Sequence, residues 1–134
     1  MFNAPSVFSF YSPTYAIPET SLVGPEFGLL TSATAIGRAN FANTLVLGGD
    51  VAPDPTVFAA TGTQLDVSAY AALASNPSAL ADRIQEKLLA GDMTPALRQG
   101  IVSAVNAVAL SDPSGRARTA LYLTRSSPEY QVQR

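Results

Sequence analysis

The stretch that decides the fold is NPSALADRIQEKLLAGDMTPALRQGIVSAV, residues 76–105. It contains the same start signal twice, a capping residue followed by proline: Asn76-Pro77 and Thr94-Pro95. Asn and Thr side chains accept from the free backbone N–H groups of a helix start, and proline suits the first helical position because its missing N–H has no partner there. The stretch therefore predicts two consecutive helices, the first ending at Gly91.

Apolar side chains recur in both helices at spacings of three and four, the period of one helix face. In the first helix this face consists of Leu80, Ile84 and Leu88. In the second helix, over residues 95–110, it consists of Leu97, Ile101, Val105 and Val108. Each helix is therefore predicted to bury one face against its neighbours.

The same signals predict the remaining helices. The first covers residues 25–47 and has apolar residues on two sides, so it is predicted to be central. The others cover residues 69–75 and residues 115–126, the latter with Ala117, Leu121 and Thr124 inward, and a final turn follows Ser127-Pro128. Gly48-Gly49 is predicted to stop the first of them, and Asp112-Pro113 to end the helix that starts at Pro95. Residues 49–66 are predicted to be a loop. The predicted fold class is all-α, about five helices packed as an irregular bundle.

Residues 1–24 differ from the rest because Pro5, Pro13 and Pro18 interrupt them. Proline removes a backbone donor and biases its predecessor toward extended geometry, so an extended N-terminal arm rich in proline and aromatic residues is predicted. At 134 residues the chain has room for one domain. The predicted organisation is a single helical domain over residues 1–134, with the arm over residues 1–24 and a helical body over residues 25–134.

The composition indicates that part of the surface contacts another surface. Hydrophobic residues make up 47% of the chain and charged residues only 13%, which is about half the usual charged share. A free-standing domain normally covers itself with charged side chains, so we expect exposed apolar area that contacts a partner. No apolar run approaches the roughly 18 residues of a membrane-spanning helix, so no membrane span is expected.

Several catalytic chemistries are excluded because the sequence has no histidine and no cysteine. These absences remove Ser-His-Asp and Cys-His nucleophiles and the usual zinc sites. Asp82 and Glu86 lie one helical turn apart, but Arg83 and Lys87 beside them favour a solvated, charged helix face over an acid–base pair. The spacings of a calcium loop and of a phosphate-binding loop are missing. No catalytic residue, metal or cofactor is therefore predicted.

The basic residues do not indicate nucleic acid. The formal net charge is -2, and Lys87 is the only lysine. A loose group of arginines, Arg116, Arg118 and Arg125, is interpreted as solvated helix positions rather than as a phosphate-binding stripe. No nucleic-acid partner is expected.

The aromatic residues of the arm are the most informative local feature, above all Phe8, Phe10, Tyr11 and Tyr15. In one interpretation they wrap back and fill gaps over the helices. In the other they make an interface or line a sugar-binding or other apolar groove, because aromatic rings supply a large contact area with a polar tip. Both interpretations stay open.

Three motifs along the chain resemble a known family. They are Pro5-Ser6-Val7-Phe8-Ser9-Phe10-Tyr11-Ser12-Pro13, Pro25-Glu26-Phe27 and Ser127-Pro128-Glu129-Tyr130-Gln131. Together they resemble the C-terminal part of a large bacterial family catalogued as domain of unknown function 1800. The resemblance implies a longer, exported parent protein, periplasmic or extracellular, of which this chain is the final portion. It carries no established activity, so Glu26 and Arg38 become candidates only because they lie near the motifs.

Three functions follow as expectations, and one of them, a small-ligand-binding bundle, has the least support. The first is a structural or interaction module, which binds its own upstream region, another protein or a second copy of itself. The second is a part of the substrate cleft of a larger enzyme acting on envelope or extracellular material. The first is favoured because the chain combines much apolar area with few charges and lacks catalytic side chains.

Overall fold

The computed structural model describes Thr14, Ala16, Ser21, Val23 and residues 32–131. Contacts divide the chain into two units, residues 1–40 and residues 41–134. In the first unit, Ala16 and Val23 form an isolated antiparallel bridge. The rest of the predicted arm and the predicted helix start at Pro25 lie outside the described residues, so these stay predictions.

The described residues are mainly helical. The helices are α1 Ser32–Ala42, α2 Ser68–Ala71, α3 Pro77–Leu88, α4 Pro95–Ala107, α5 Pro113–Ser126 and α6 Pro128–Gln131. A π-helical segment, Asn43–Gly48, continues α1, and two short strands follow it, β1 Asp50–Val51 and β2 Thr63–Gln64. The predicted all-α fold class is confirmed. No helix within residues 32–131 is long and apolar enough to cross a membrane.

Both helix starts predicted in the deciding stretch are confirmed. Before α3, Asn76 Oδ1 accepts a hydrogen bond from the Ala79 N–H at 3.2 Å. Before α4, Thr94 Oγ1 accepts from the Leu97 N–H at 3.2 Å. In each case the cap satisfies a donor that the first turn leaves without an intrahelical partner.

Asp112 and Pro113 have a different role from the predicted one. The helix that starts at Pro95 already ends at Ala107. Asp112 instead caps α5, which begins at Pro113, and its Oδ1 accepts from the Gly115 N–H at 2.8 Å. A Cβ at position 115 would collide with the Asp112 carboxylate, so glycine leaves the room that this cap requires. The prediction was wrong because Asp-Pro both follows one helix and starts the next.

The core lies where α3, α4 and α5 meet. The largest side chains that are fully buried are Leu80, Ile84, Ile101, Val105 and Thr124. The predicted inward faces of α3, α4 and α5 are therefore confirmed, with Leu88, Leu97 and Val108 half-buried. Thr124 is tolerated in this apolar setting because its Oγ1 donates to the Ala120 carbonyl at 2.9 Å.

The ends of two elements differ from the prediction. α3 ends at Leu88, not at Gly91, and the chain then turns through Ala90 and Gly91, both with positive φ. The short helix α2 covers Ser68–Ala71 rather than residues 69–75, because turns replace its second half.

The first described helix is less buried than predicted. Its stop is confirmed, since Gly49 has a φ of 93° and ends the π-helical segment. However, Ile36, in the first unit, is 61% exposed and Phe41, in the second, is 50% exposed, so these two apolar residues are not buried as the pattern predicts. Apolar residues show which faces of a helix are suited to burial, but they do not show what covers those faces.

Candidate functional site

The chain doubles back on itself after the π-helical segment. β1 and β2 pair antiparallel, with Asp50 opposite Gln64. We call residues 50–64 the ribbon. The predicted loop over residues 49–66 is corrected to this extent, and the reason is length, since strands of two residues are too short to show the alternation that predicts a strand.

The loop of the ribbon, residues 52–62, has its own hydrogen bonds. Asp54 Oδ1 accepts from the Thr56 N–H at 2.8 Å and from the Thr56 hydroxyl at 2.7 Å. The Val57 N–H donates to the Asp54 carbonyl at 3.1 Å, and the Ala60 N–H donates to the Val57 carbonyl at 3.2 Å. Asp side chains commonly organise turns in this way. The loop is therefore built from consecutive turns.

The closing end of the loop depends on glycine. Gly62 has a φ of 71°, and a Cβ there would lie 2.6 Å from the Val51 carbonyl oxygen. Ala59 also has a positive φ, 58°, which costs a residue with a Cβ roughly 1 kcal/mol or more. Two local features therefore determine the backbone conformation at this end of the loop: the close approach of Gly62 to Val51 and the left-handed conformation of Ala59.

The loop presents two large apolar side chains to solvent. Phe58 is 100% exposed, and Val57 beside it is 56% exposed. Single exposed apolar residues are ordinary, whereas a phenylalanine and a valine together at a loop tip resemble the anchors of protein interfaces. Sequence reasoning missed them, although an apolar pair inside a segment of turn residues was visible as a signal. Phe41, Leu47 and Leu110 are further exposed apolar residues of the same unit.

Carboxylates lie on the ribbon and next to it. Asp54 and Asp66 have pKa values held below the usual value, Asp54 by its hydrogen bonds with Thr56 and Asp66 by those with Ser68. The Ser68 N–H donates to Asp66 Oδ1 at 2.8 Å. These two aspartates therefore remain ionised well below neutral pH.

The predicted charged face of α3 is confirmed. Arg83 Nη1 lies 3.2 Å from Glu86, and Lys87 Nζ lies 2.8 Å from Glu86. Arg98 Nη2 lies 2.6 Å from Asp82. The hydrogen bond and charge of Lys87, together with those of Arg83, lower the pKa of Glu86. Both carboxylates are committed to exposed ion pairs rather than to each other.

A surface depression of about 460 Å³ lies beside this face, lined by Asp82, Gln85, Glu86, Ala90 and Gly91. Its carboxylates are the ion-paired ones, and Gln85 Nε2 is engaged with the Gly91 carbonyl at 2.8 Å. Within the described residues, three or more acidic side chains do not gather anywhere that would hold a metal ion. We assign the depression no chemistry.

Most of the site candidates from the sequence lie outside the described residues. Phe8, Phe10, Tyr11, Tyr15 and Glu26 lie outside the described residues, so their predicted interface role stays a prediction. Arg38 is described; it lies on α1 and is half-buried.

Arg116 and Arg118 of α5 donate to backbone carbonyls instead of being solvated, which corrects the interpretation from the sequence for these two residues. Arg116 is only 3% exposed. Its Nε donates to the Ala74 carbonyl at 2.8 Å, and its Nη1 donates to the Val108 carbonyl at 2.7 Å. Arg118 Nη1 donates to the Val46 carbonyl at 2.6 Å. The Val46 carbonyl lies in the last turn of the π-helical segment, Ala74 follows α2, and Val108 follows α4. The arginines therefore cap the ends of elements that precede α5 in the chain.

A family model described as "Protein of unknown function (DUF1800)" matches residues 1–132. The chain belongs to the DUF1800 family. The resemblance carried by its three motifs is thereby confirmed at the level of the family. Comparison of this DUF1800 chain with curated proteins and with solved structures finds no match in either.

The closing motif of this DUF1800 chain, Ser127 to Gln131, has a structural role. Ser127 Oγ donates to the Thr124 carbonyl at 2.8 Å and accepts from the Tyr130 N–H at 3.4 Å, which starts α6. The Arg125 guanidinium lies 4.7 Å from the centre of the Tyr130 ring, a cation–π distance. The motif therefore ties α6 to the end of α5.

The same motif also reaches α4. Thr94 Oγ1 donates to Glu129 Oε1 at 2.6 Å while accepting from the Leu97 N–H. Replacing Thr94 with alanine removes the cap and this contact together, and we expect it to lower the free energy of unfolding by about 1.5 kcal/mol in urea denaturation. Thr61→Ala, at an exposed loop position, is the matched control, with an expected change within about 0.5 kcal/mol. Equal effects of the two substitutions would contradict the assigned role of Thr94.

Proposed function

We propose that this DUF1800 chain is a structural or interaction module, the C-terminal helical part of an exported bacterial protein, which binds its own upstream region or another protein. The observation that carries the proposal is Phe58, fully exposed beside Val57 on a loop that its own hydrogen bonds shape. An exposed phenylalanine forgoes about 2 kcal/mol or more of burial free energy, which contact with a partner would recover.

The low charge content supports the same proposal. Charged residues make up 13% of the sequence, and the second unit exposes Phe41, Leu47 and Leu110 in addition to the loop. Folding has buried one core between the helices and has left these side chains outside it. Such a distribution favours a surface that is covered in an assembly over one that faces only water.

The alternative, a part of the substrate cleft of a larger enzyme acting on envelope or extracellular material, has less support. The described depression is lined by carboxylates that already pair with Arg83, Lys87 and Arg98. General acid–base chemistry requires a carboxyl group free to exchange its proton with a substrate.

The proposal is tested by the hydrodynamic mass of the tagged protein in fresh extract of the cells that produce it, compared with that of the purified chain. We expect elution with a partner, well above the mass of the tagged polypeptide alone. The chain without its tag has a mass of 13.9 kDa. If the tagged protein elutes as a monomer in both samples, it is not an interaction module.

A second sample lacking residues 1–20 separates the arm from the helical body. If the arm aromatics Phe8, Phe10, Tyr11 and Tyr15 make the interface, the complex is lost in this sample. An unchanged complex assigns the interface to the body and removes those residues from the candidates.

A further inference from the structure

The loop of the ribbon combines an apolar anchor with unpaired negative charge. Phe58 and Val57 are exposed at its tip. Asp54 lies in the same loop, and Asp50 and Asp66 lie at its base, in β1 and shortly after β2. All three aspartates are exposed. An exposed aromatic residue in a segment whose charged residues are all acidic is a pattern typical of an interface in which charge selects the partner.

The charges of the ribbon differ from those of α3. On α3, the exposed carboxylates Asp82 and Glu86 are both matched by arginine or lysine. Among residues 32–131, none of the ion pairs involves an aspartate of the ribbon or Asp66. The sequence explains the contrast, because it has no lysine or arginine between Arg38 and Arg83. The negative charge here therefore faces solvent without a counter-charge from its own segment.

Local turn formation accounts for only part of this pattern. Asp54 and Asp66 each organise a turn through Oδ1, and asparagine would accept the same hydrogen bonds without a charge. Asp50 lies in β1 opposite Gln64. The local structure thus requires oxygen acceptors, and Asp54 and Asp66 have no ion-pair partner among residues 32–131. Beside Asp50, the Arg118 guanidinium lies against Gly49 and donates to the Val46 carbonyl.

A second copy of the chain is a poor match for this loop. Two ribbons in contact would bring aspartates of like charge together around the phenylalanines, which opposes association at low salt. The overall net charge of -2 adds to this repulsion. The same argument applies to an anionic lipid surface.

Resting on the proposed function, we infer that the loop Asp54–Ala59 inserts Phe58, with Val57 beside it, into an apolar pocket on a different protein surface, and that arginine or lysine residues at the rim of that pocket pair with the aspartates. Phe58 supplies most of the affinity by burial. The aspartates orient the loop and accelerate association.

The experiment places the photo-reactive amino acid p-benzoylphenylalanine at position 58, in the protein produced at its native level in its own cells, and maps the cross-linked peptide by mass spectrometry. Positions 41, 47 and 110, exposed apolar sites outside the loop, are cross-linked in parallel. The captured protein is then purified, and its binding is measured with wild-type chain, Phe58→Ser, Leu110→Ser and the triple variant Asp50→Asn, Asp54→Asn, Asp66→Asn. Asparagine keeps the turn-forming acceptor, so the triple variant removes charge and not the loop.

The inference is supported if the peptide cross-linked from position 58 lies in an apolar pocket bordered by at least two arginines or lysines. Phe58→Ser is then expected to weaken binding by about 10-fold or more, while Leu110→Ser leaves it unchanged. The triple variant is expected to slow association several-fold and to remove most of its salt dependence. A circular dichroism melt with an unchanged midpoint checks that each variant is folded.

Other outcomes overturn the inference. Cross-links from position 58 to a second copy, to lipid, or to a surface without basic residues contradict the assigned partner. Cross-links only from positions 41, 47 or 110 contradict the role of the loop but leave the proposed function standing. If no position gives a cross-link, both the inference about the loop and the proposed function are contradicted.

Discussion

Replacing Arg116 with methionine is expected to lower the free energy of unfolding of the second unit by about 3 kcal/mol. The side chain is 3% exposed, and its guanidinium donates to the carbonyls of Ala74 and Val108. Methionine fills much of the same volume but leaves both acceptors without a donor. Removal of the buried charge offsets part of the loss, because the guanidinium had to be desolvated. Urea denaturation followed by circular dichroism measures the difference.

Two further variants distinguish this capping role from a general effect of charge. Arg83→Met removes an arginine that is exposed and paired only with Glu86, so we expect a change within about 0.5 kcal/mol. Arg116→Lys keeps the charge but offers a single ammonium in place of the fork that reaches two carbonyls, so an intermediate loss is expected. If Arg116→Met were as stable as Arg83→Met, the capping of distant helix ends by α5 would be wrong.

Replacing Ile101 with alanine is expected to have the second large effect, a loss of about 3 kcal/mol in the free energy of unfolding. Ile101 is fully buried on the inward face of α4, in the cluster that includes Ile84 and Leu121. Alanine favours the helix at least as well as isoleucine, so the loss comes from the cavity and from the lost apolar contacts rather than from helix propensity. The midpoint of urea denaturation falls while its slope stays the same.

The matched control for this change is Leu110→Ala. Leu110 is also a large aliphatic residue, close in sequence and 72% exposed. Its truncation is expected to change the free energy of unfolding by no more than about 0.5 kcal/mol. A loss at Leu110 as large as that at Ile101 would mean that the buried cluster between α3, α4 and α5 has been placed wrongly.

The helix starts at Pro77 and Pro95 could be predicted from the sequence because their causes are local. A cap and the N–H group that it satisfies lie within one turn of each other, so residues a few positions apart contain the whole interaction. The inward positions Leu80, Ile84 and Ile101 could be predicted for a similar reason, since the helical period determines which side chains share a face.

The role of Arg116 could not be predicted in this way. Its acceptor Ala74 lies far along the chain, and the arginine itself resembles any charged residue on a helix. An isolated arginine is usually exposed, so the sequence favours the solvated interpretation. The need for a donor at this position arises only when α5 packs against the ends of earlier elements and brings their carbonyls next to Arg116.

The candidate site also combines features that are visible in the sequence with one that depends on the tertiary structure. The turn residues Asp54 and Gly62 and the apolar pair at 57–58 are visible in the sequence, but their meaning depends on β1 and β2 bringing the ends of the loop together. Those strands have only two residues each, too few to show the alternation that predicts a strand. The sequence alone therefore predicted a loop and no role for it. The pairing of β1 with β2 shows that this loop closes on itself and exposes Phe58.

What the sequence determined by itself is the class of the protein: a helical chain of the DUF1800 family with little charge and without the side chains of the common nucleophilic and zinc chemistries. The tertiary structure decided which polar groups are consumed in holding the helices together, as at Arg116 and Glu129, and which apolar groups are left over, as at Phe58. The physical reason is that periodicity and capping act over one or two turns of chain, whereas burial depends on what another segment covers.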